Sequence, residues 1–258
     1  MECLHNSDSK NNFLFLCSSY WSGLLDLLFP PLCHSCRAFI PNPGAVRLCA
    51  TCLDAAPLIA HPFCTCCGRP FATIGGADHL CGKCLTDPPP FAAARAALIY
   101  TGTTRELIHR FKYSHRVMLR RPLGCLAGPC LDSFVNDFGA DVMVPVPLHR
   151  KRLQQRGFNQ AILLGEIFSK RWGLHLVRNN LRRTRWTEPQ INLTASARAE
   201  NVKGAFALAD PAALAGKRVL LIDDVYTTGS TVKECAITLN KGGATAVAVL
   251  TVARAMDS

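Results

Sequence analysis

One segment, Val219–Thr231, constrains the fold more than any other part of the chain. It begins with the aliphatic run Val219–Ile222, which is typical of a central parallel strand covered on both faces. Two adjacent acids, Asp223 and Asp224, end that run, and a short hydroxyl-rich turn follows. From Thr231 the pattern is helical and ends at a pair of glycines. This order predicts an open α/β sheet with a ligand site at the carboxyl end of the strand.

The residue types in this segment predict a site for a phosphorylated sugar. Two neighbouring carboxylates can accept hydrogen bonds from vicinal sugar hydroxyls or help to hold Mg²⁺. The turn offers hydroxyls and backbone N–H groups, and Gly229 allows the backbone to approach a ligand closely. The N-terminus of the following helix favours an anion. The alternative is a plain strand-to-helix connection, in which Asp, Thr and Ser are ordinary helix caps.

Cysteine spacing is the second constraint. The chain has 14 cysteines, of which 11 precede residue 85. Eight of them form four C-x-x-C pairs separated by 12, 11 and 13 residues: Cys33/Cys36, Cys49/Cys52, Cys64/Cys67 and Cys81/Cys84. Two such turns complete a tetrahedral site of four thiolates, so the pattern predicts two structural Zn²⁺ ribbons. Sequential and interleaved pairing both remain open. A disulfide framework would need an oxidising compartment, and no signal peptide is evident.

The remaining cysteines have other predicted roles. Cys66 is an extra thiol inside one pair and could compete for the metal. Cys125, Cys130 and Cys235 are predicted to be buried as small apolar residues.

Composition and charge set the domain organisation. The chain has 258 residues, 49% of them hydrophobic, which suits one large and one small folded unit. We expect a leader and amphipathic helix over 1–29, a double zinc ribbon over 30–90 and the α/β domain over 91–258, with a proline-rich linker at 87–90. The net charge of +11 favours anionic partners such as phosphates, nucleic acid or an acidic membrane surface. The apolar stretch at 13–32 is too interrupted to predict a membrane span.

Strands and helices alternate after residue 91, which predicts a mainly parallel sheet flanked by helices. Predicted strands cover 96–100, 141–144, 174–177, 203–208, 219–222 and 246–252, and predicted helices cover 103–113, 122–138, 159–172 and 231–241.

Two polar segments are predicted to supply further ligand contacts. Residues 145–160 follow a strand and are predicted to form a basic loop whose arginines suit bidentate contact with phosphate. Residues 183–201 are long and polar, which is typical of a mobile lid. The alternatives are a solvated basic loop and a plain surface loop.

Together these segments resemble the ComF family, in which a double zinc ribbon precedes a type I phosphoribosyltransferase-like domain. The similarity covers nearly everything from Leu24 onward. Its most specific strings are Phe111-Lys112-Tyr113, Pro145-Val146-Pro147, Arg156-Gly157-Phe158-Asn159-Gln160, the pair Thr187 and Gln190, Arg198 with Asn201, and Asp223–Thr231. The last string is similar to the phosphoribosyl pyrophosphate (PRPP) motif of type I phosphoribosyltransferases.

The resemblance implies a role for each matching residue. Asp223 and Asp224 would bind the ribose hydroxyls and, with Arg156, are the candidate catalytic residues, while Mg²⁺ would accompany PRPP. The PRPP contacts would extend through Val225, Tyr226, Thr227, Thr228, Gly229, Ser230 and Thr231. The candidate pyrophosphate and lid residues are Lys112, Pro145, Val146, Pro147, Arg152, Arg156, Asn159, Gln160, Thr187, Gln190 and Arg198.

The resemblance also implies a cytoplasmic bacterial protein that handles incoming single-stranded DNA in natural competence, together with competence or recombination proteins. One hypothesis is a phosphoribosyltransferase in which a nucleophile attacks ribose C1 and pyrophosphate leaves. The acceptor would lie under a hood built from parts of 91–130 and 178–206, and its identity stays open.

The rival hypothesis is a catalytically silent module that grips single-stranded DNA through the zinc ribbons and basic loops. Tyr113 and Trp186 are its candidate stacking residues, and Phe111 fits core packing better. A PRPP-sensing repressor is a weaker third hypothesis, since no helix-turn-helix signature supports it.

Overall fold

A five-stranded sheet, parallel throughout, forms the centre of the molecule. The computed structural model describes residues 30–73, 75–186 and 195–256, with only the backbone described for residues 195, 196, 198 and 199. The helix predicted at 21–29 lies outside these residues. The strands run, in spatial order, β1 (Ala93–Ile99), β7 (Ala246–Arg254), β6 (Arg218–Tyr226), β2 (Val142–Pro145) and β3 (His175–Leu176). All four neighbouring pairs are parallel, so the predicted α/β class is confirmed.

Helices cover both faces of this sheet. The α-helices of the described residues are α1 (Ala50–Asp54) and α2 (Gly82–Thr86) in the cysteine-rich region, then α3 (Gly102–Tyr113), α4 (Arg120–Phe138), α5 (Arg150–Arg156), α6 (Gln160–Trp172), α7 (Ala195–Val202) and α8 (Ser230–Lys241). Helices α3, α4 and α6 contribute to the core on one face, and α7 and α8 contribute to the core on the other. No helix among the described residues is long and apolar enough to cross a membrane.

Strand β6 shows why the aliphatic run folds as it does. Val219 and Leu221 point into one core, and Leu220 and Ile222 point into the opposite core. All four are fully buried, as the two-residue period of a strand between two helical layers requires. Each such side chain contributes about 1.5–3 kcal/mol on burial, so this strand fixes the centre of the sheet.

Both cysteine-rich units dock on the α/β domain. Cysteines 33, 36, 49 and 52 form one cluster, and 64, 67, 81 and 84 form the second, so the pairing is sequential. In the first unit, the Ser35 hydroxyl donates to Glu106 of α3, and Arg110 Nη1 donates to the Ser35 carbonyl at 3.0 Å. In the second, the Ala94 N–H of β1 donates to the Cys66 carbonyl at 2.7 Å. The predicted domain boundaries stay predictions.

The segment between the two units extends the sheet. The Ile59 N–H donates to the Ala97 carbonyl, and the Ile99 N–H donates to the Pro57 carbonyl, both at 2.9 Å. Residues 57–59 therefore lie antiparallel along the outer edge of β1 and cover its backbone groups.

The structure differs from the sequence expectations in four places. The predicted basic loop at 145–160 contains α5, which begins after His149, whose ring nitrogen accepts from the Lys151 N–H at 3.2 Å. The predicted strand at 203–208 is shorter, and it pairs with β4 (Leu181–Arg183) as β5 (Phe206–Leu208) in a separate antiparallel sheet. The predicted lid segment contains α7. Cys130 is exposed and Cys125 is half-buried, so neither is buried as predicted, whereas Cys235 is.

Candidate ligand cleft and zinc centres

The two acids lie near the carboxyl end of β6, within the part of the strand that is still paired with β7. Asp224 is 5% exposed, and its Oδ1 atom forms an ion pair with Lys112 Nζ of α3 at 2.9 Å. Its backbone N–H donates to Asp223 Oδ1 at 2.9 Å. Because β6 continues to Tyr226, the strand is longer than predicted, and the sheet itself orients both carboxylates.

The pKa values of Asp223 and Lys112 are both raised, but for different reasons. Burial, with the charge of Asp224, raises the pKa of Asp223 to about 7, although Lys112 opposes that rise. Burial alone would lower the pKa of Lys112, but the charge of Asp224 and the hydrogen bond to it leave the Lys112 pKa raised. Lys112 is therefore protonated near neutral pH, while Asp223 can exchange a proton there.

The turn after β6 has the geometry of an anion cradle. Gly229 caps α8 with φ of 79°, a left-handed conformation that favours glycine. A Cβ on Gly229 would overlap the Tyr226 hydroxyl, so the turn is also sterically limited to glycine. The Thr228 and Ser230 hydroxyls lie 2.9 Å apart beside the first turn of α8. The Ser230 N–H donates to the Thr228 hydroxyl at 3.4 Å, and the N-terminus of α8 places the positive end of the helix dipole at this turn.

A cleft of about 890 Å³ opens beside the acids. Its lining includes five Lys or Arg side chains, Arg105, Lys112, Arg152, Arg156 and Arg183, against the two carboxylates of Asp223 and Asp224. The balance is positive, so the cleft suits a ligand with several negative charges. Its size lies in the range of small-molecule sites.

The structure brings most of the candidate residues to this cleft. Its lining contains Lys112, Val146, Pro147, Arg152, Arg156, Asn159, Gln160, Asp223, Asp224, Val225, Thr227 and Thr231. Tyr226 and Thr228 instead line a smaller cavity on the side of the second zinc unit, and Pro145 is buried in β2. Thr187 and Gln190 lie outside the described residues, and the Arg198 side chain is not described.

Some lining residues were not named individually among the sequence candidates: Tyr100, Arg105, His115, Leu148, Gln155 and Arg183, of which the last three lie within the two segments predicted to contact a ligand. Arg105 could have been found, because it lies seven residues before Lys112 and so shares a face of α3 with it. Arg183 ends β4, a short strand that sequence periodicity does not predict.

Basic and aromatic side chains alternate along the rim of the cleft. Trp186 contacts the His149 ring at 5.1 Å between centroids, and Lys151 Nζ lies 5.5 Å from the Trp186 ring centre. Arg156 lies over Tyr113 at 5.1 Å, and Tyr113 is 54% exposed. Phe111 is fully buried in the core, as the sequence favoured.

The two cysteine clusters fit zinc. Within each cluster the four Sγ atoms lie within 4.8 Å of one another. Cys36 and Cys49 Sγ are 3.6 Å apart, and Cys67 and Cys81 Sγ are 3.9 Å apart. A tetrahedral site with Zn–S bonds of about 2.3 Å has sulfur separations of about 3.8 Å, whereas a disulfide needs about 2.05 Å.

Neither cluster includes Cys66, although it lies beside the second one. Zn²⁺ in the two clusters would have a structural role, since all four positions around each ion are taken by protein thiolates.

Comparison with known proteins gives three kinds of match. A family model described as "Double zinc ribbon domain" matches residues 24–85. "DNA utilization protein YhgH" of Escherichia coli K12 is 36% identical over 89% of this chain and 100% of its own length. "Competence protein F" of Haemophilus influenzae is 32% identical over 86% of this chain and 96% of its own length. "Competence protein ComFC" of Bacillus subtilis is 26% identical over 81% and 84%, respectively.

Among solved structures, a glutamine PRPP amidotransferase from B. subtilis is 23% identical, with a TM-score of 0.30 over 43% of this chain and 22% of that one. The α/β fold class therefore follows from the five-stranded parallel sheet and not from this similarity.

Proposed function

This chain belongs to the ComF family of competence and DNA-utilization proteins, and from that premise we propose that it binds PRPP, or a related ribose phosphate, in the cleft beside Asp223 and Asp224. It would do so in the handling of incoming DNA, in the cytoplasm and with competence or recombination proteins as partners. The relatives' names supply the DNA context. The residues of the cleft supply the ligand chemistry.

The observation that carries the proposal is one juxtaposition. Two carboxylates at the end of a central strand lie in the same cleft as Thr227 and Thr231 of the anion-cradle turn, and five cationic side chains line the rest. Vicinal sugar hydroxyls suit the carboxylates, a 5-phosphate suits the N-terminus of α8, and a pyrophosphate suits the arginines. A ribose carrying phosphates at both ends satisfies all three at once.

Each group has a defined part in a transfer reaction. Asp224, paired with Lys112, would accept hydrogen bonds from a ribose hydroxyl, and Asp223 would accept from or donate to the neighbouring ribose hydroxyl. The acceptor's lone pair forms the new bond to C1 while the C1–O bond breaks and its electrons leave on pyrophosphate. Arg152 and Arg156 would neutralise that leaving charge. Asp223 and Asp224 would hold the Mg²⁺ that accompanies PRPP, and the ion would add further neutralisation of the leaving charge.

Calorimetry with PRPP and Mg²⁺ tests the binding claim. The double variant Asp223→Asn with Asp224→Asn should weaken PRPP binding by at least about 100-fold, since each lost charge-assisted hydrogen bond costs about 1.5–3 kcal/mol. Asp137→Asn, an exposed acid on α4, is the matched control and should leave binding unchanged. No heat from the wild type, or equal affinity in the double variant, would remove the proposal.

A pyrophosphate-release assay separates an enzyme from a binding module. The acceptors to compare are nucleobases, nucleosides and single-stranded oligonucleotides. Release that depends on one acceptor class identifies the substrate. PRPP binding without release in any arm would leave a ligand-binding module.

The alternative function is single-stranded DNA binding, favoured by the basic and aromatic rim. Trp186 lies near Lys151 and Arg152, the arrangement in which a base stacks while cations contact the backbone. Trp186→Ala should weaken binding of an unstructured oligonucleotide about 10-fold, from a stacking contribution of about 1–3 kcal/mol.

Salt dependence provides the control for DNA binding. Arg152→Ala should reduce the slope of affinity against salt, and Arg121→Ala, an exposed cation on α4, should not. An affinity that is flat in salt would exclude this function.

A further inference from the structure

The second zinc unit lies directly behind the anion-cradle turn, and Arg254 connects the two. Arg254 ends β7 and is 7% exposed. Its Nη1 donates to the Cys67 carbonyl at 2.7 Å, and its Nη2 lies 3.7 Å from Cys67 Sγ. The contact joins residues 187 positions apart in the chain, so it holds the cysteine cluster against the carboxyl end of the sheet.

The same guanidinium stacks on the residue that shapes the turn. The Arg254 Cζ atom lies 4.3 Å from the Tyr226 ring centre, and the two residues are partners in the ladder between β7 and β6. The Tyr226 ring in turn packs against Gly229, where a Cβ would overlap its hydroxyl. A rigid path of three contacts therefore runs from Cys67 through Arg254 and Tyr226 to Gly229.

Electrostatics makes this contact depend on the metal. Among the residues that the structure describes, no carboxylate lies within ion-pair distance of Arg254. Four thiolates around one Zn²⁺ carry a net charge of about −2, which supplies the missing countercharge for a buried cation. Loss of zinc would remove the ion that holds the four sulfur atoms together, so the Cys67 groups that Arg254 contacts would lose their fixed position.

A second link reinforces the first. Lys233 Nζ, in the first turn of α8, pairs with Asp87 Oδ2 at 2.7 Å, three residues beyond Cys84. A cavity of only about 30 Å³ separates this cysteine cluster from Thr227 and Thr228. The turn and the second zinc unit are thus packed as one body rather than as two independent modules.

We propose that Arg254 is a positioning residue that couples zinc in the second cluster to ligand binding at the turn. A phosphate ligand bound at the turn raises the affinity of the second cluster for zinc, and zinc in that cluster raises the affinity of the turn for the phosphate ligand. The inference rests on the proposed function, since it requires a phosphate ligand at this turn. Reciprocity follows from thermodynamic linkage, in which each ligand changes the affinity of the other by the same factor.

The test uses the full-length, zinc-loaded protein and ribose 5-phosphate as the probe. Zinc affinity is measured by competition with a chromophoric chelator, with and without ribose 5-phosphate. Alkylation and mass spectrometry of the peptides containing cysteines 33–52 and 64–84 identify the cluster that releases metal. Ribose 5-phosphate should raise zinc affinity about 10-fold at the second cluster only, within the usual range of coupling.

Two variants identify the coupling residue. Arg254→Ala should abolish the effect of ribose 5-phosphate on zinc and weaken ribose 5-phosphate binding about 10-fold, while Arg254→Lys, which keeps the charge, should retain part of both. Arg110→Ala is the matched control, because Arg110 donates to the His34 and Ser35 carbonyls of the first unit in the same manner. It should loosen the first zinc site without changing ribose 5-phosphate affinity.

The outcomes separate this inference from the proposed function. If the wild type binds ribose 5-phosphate but zinc affinity does not change, or if Arg254→Ala retains the full coupling, the inference is wrong and the proposed function stands. If calorimetry detects no binding of ribose 5-phosphate or PRPP by the wild type, both fall together.

Discussion

Neutralising Asp223 should stabilise the ligand-free protein, and the gain should grow with pH. The pKa of Asp223 is raised from 3.8 to about 7, so the folded state holds a proton that the unfolded state has lost. A raised folded pKa means that stability is fully present below about pH 4 and is lost as pH rises through about 7. The Asp223→Asn change removes this loss, because an amide cannot ionise.

The size of the effect follows from the shift. At about 1.36 kcal/mol for each pKa unit, ionisation of Asp223 costs the folded state about 4 kcal/mol above pH 7 and about 2 kcal/mol at pH 5. The variant's advantage over the wild type should therefore grow by about 2–3 kcal/mol from pH 5 to pH 8. These values are upper bounds, since Asp223 is partly exposed to water in the cleft.

Urea unfolding of both proteins at pH 5, 6, 7 and 8 measures the difference, and any zinc loss at low pH affects both alike. Asp224→Asn provides a control of opposite sign, because it leaves Lys112 without its partner and should cost about 3–5 kcal/mol. An advantage for Asp223→Asn that stays constant across this pH range would refute the reasoning.

Three further predictions concern the turn and the metal sites. Gly229→Ala should lower ribose 5-phosphate affinity at least about 10-fold in calorimetry, because φ of 79° is strained for alanine and its Cβ overlaps Tyr226; equal affinity would contradict the cradle geometry. Elemental analysis should find about two zinc ions per chain, falling to about one in either Cys36→Ser or Cys81→Ser. Gly68→Ala should lower the midpoint of thermal unfolding by several degrees, since its Cβ would overlap the Ala94 carbonyl; an unchanged midpoint would mean that this unit is not docked on β1.

The β6–turn–α8 unit could be predicted from sequence because its signals are local. The signals are four aliphatic residues, two acids and a glycine at the start of a helix, and all of them lie within a short stretch of the sequence. The helix bounds were correct to one residue, and the strand was short by four at its end because the polar residues after Ile222 break the aliphatic run while the ladder to β7 continues.

Other features depend on contacts that no local pattern encodes. Helix α5 has no buried residue, so it has no apolar period to detect, and its capping by His149 is outside the usual set of cap residues. The spacers between successive C-x-x-C pairs have similar lengths, so the sequence does not distinguish sequential from interleaved pairing of these cysteines. The hydrogen bond from Arg254 to Cys67 joins residues 187 positions apart in the chain, and only the folded sheet brings them together.

The segment at residues 57–59 affects how the protein would behave when zinc is scarce. These residues connect the two zinc units and occupy the outer edge of β1, where the Ile59 and Ile99 amides are satisfied. If both ions are removed, the connector loses its anchors at each end, and an apolar, alanine-rich strand is left with open hydrogen-bonding groups. Zinc would then prevent self-association through this strand edge, and zinc depletion would appear first as aggregation of otherwise folded molecules.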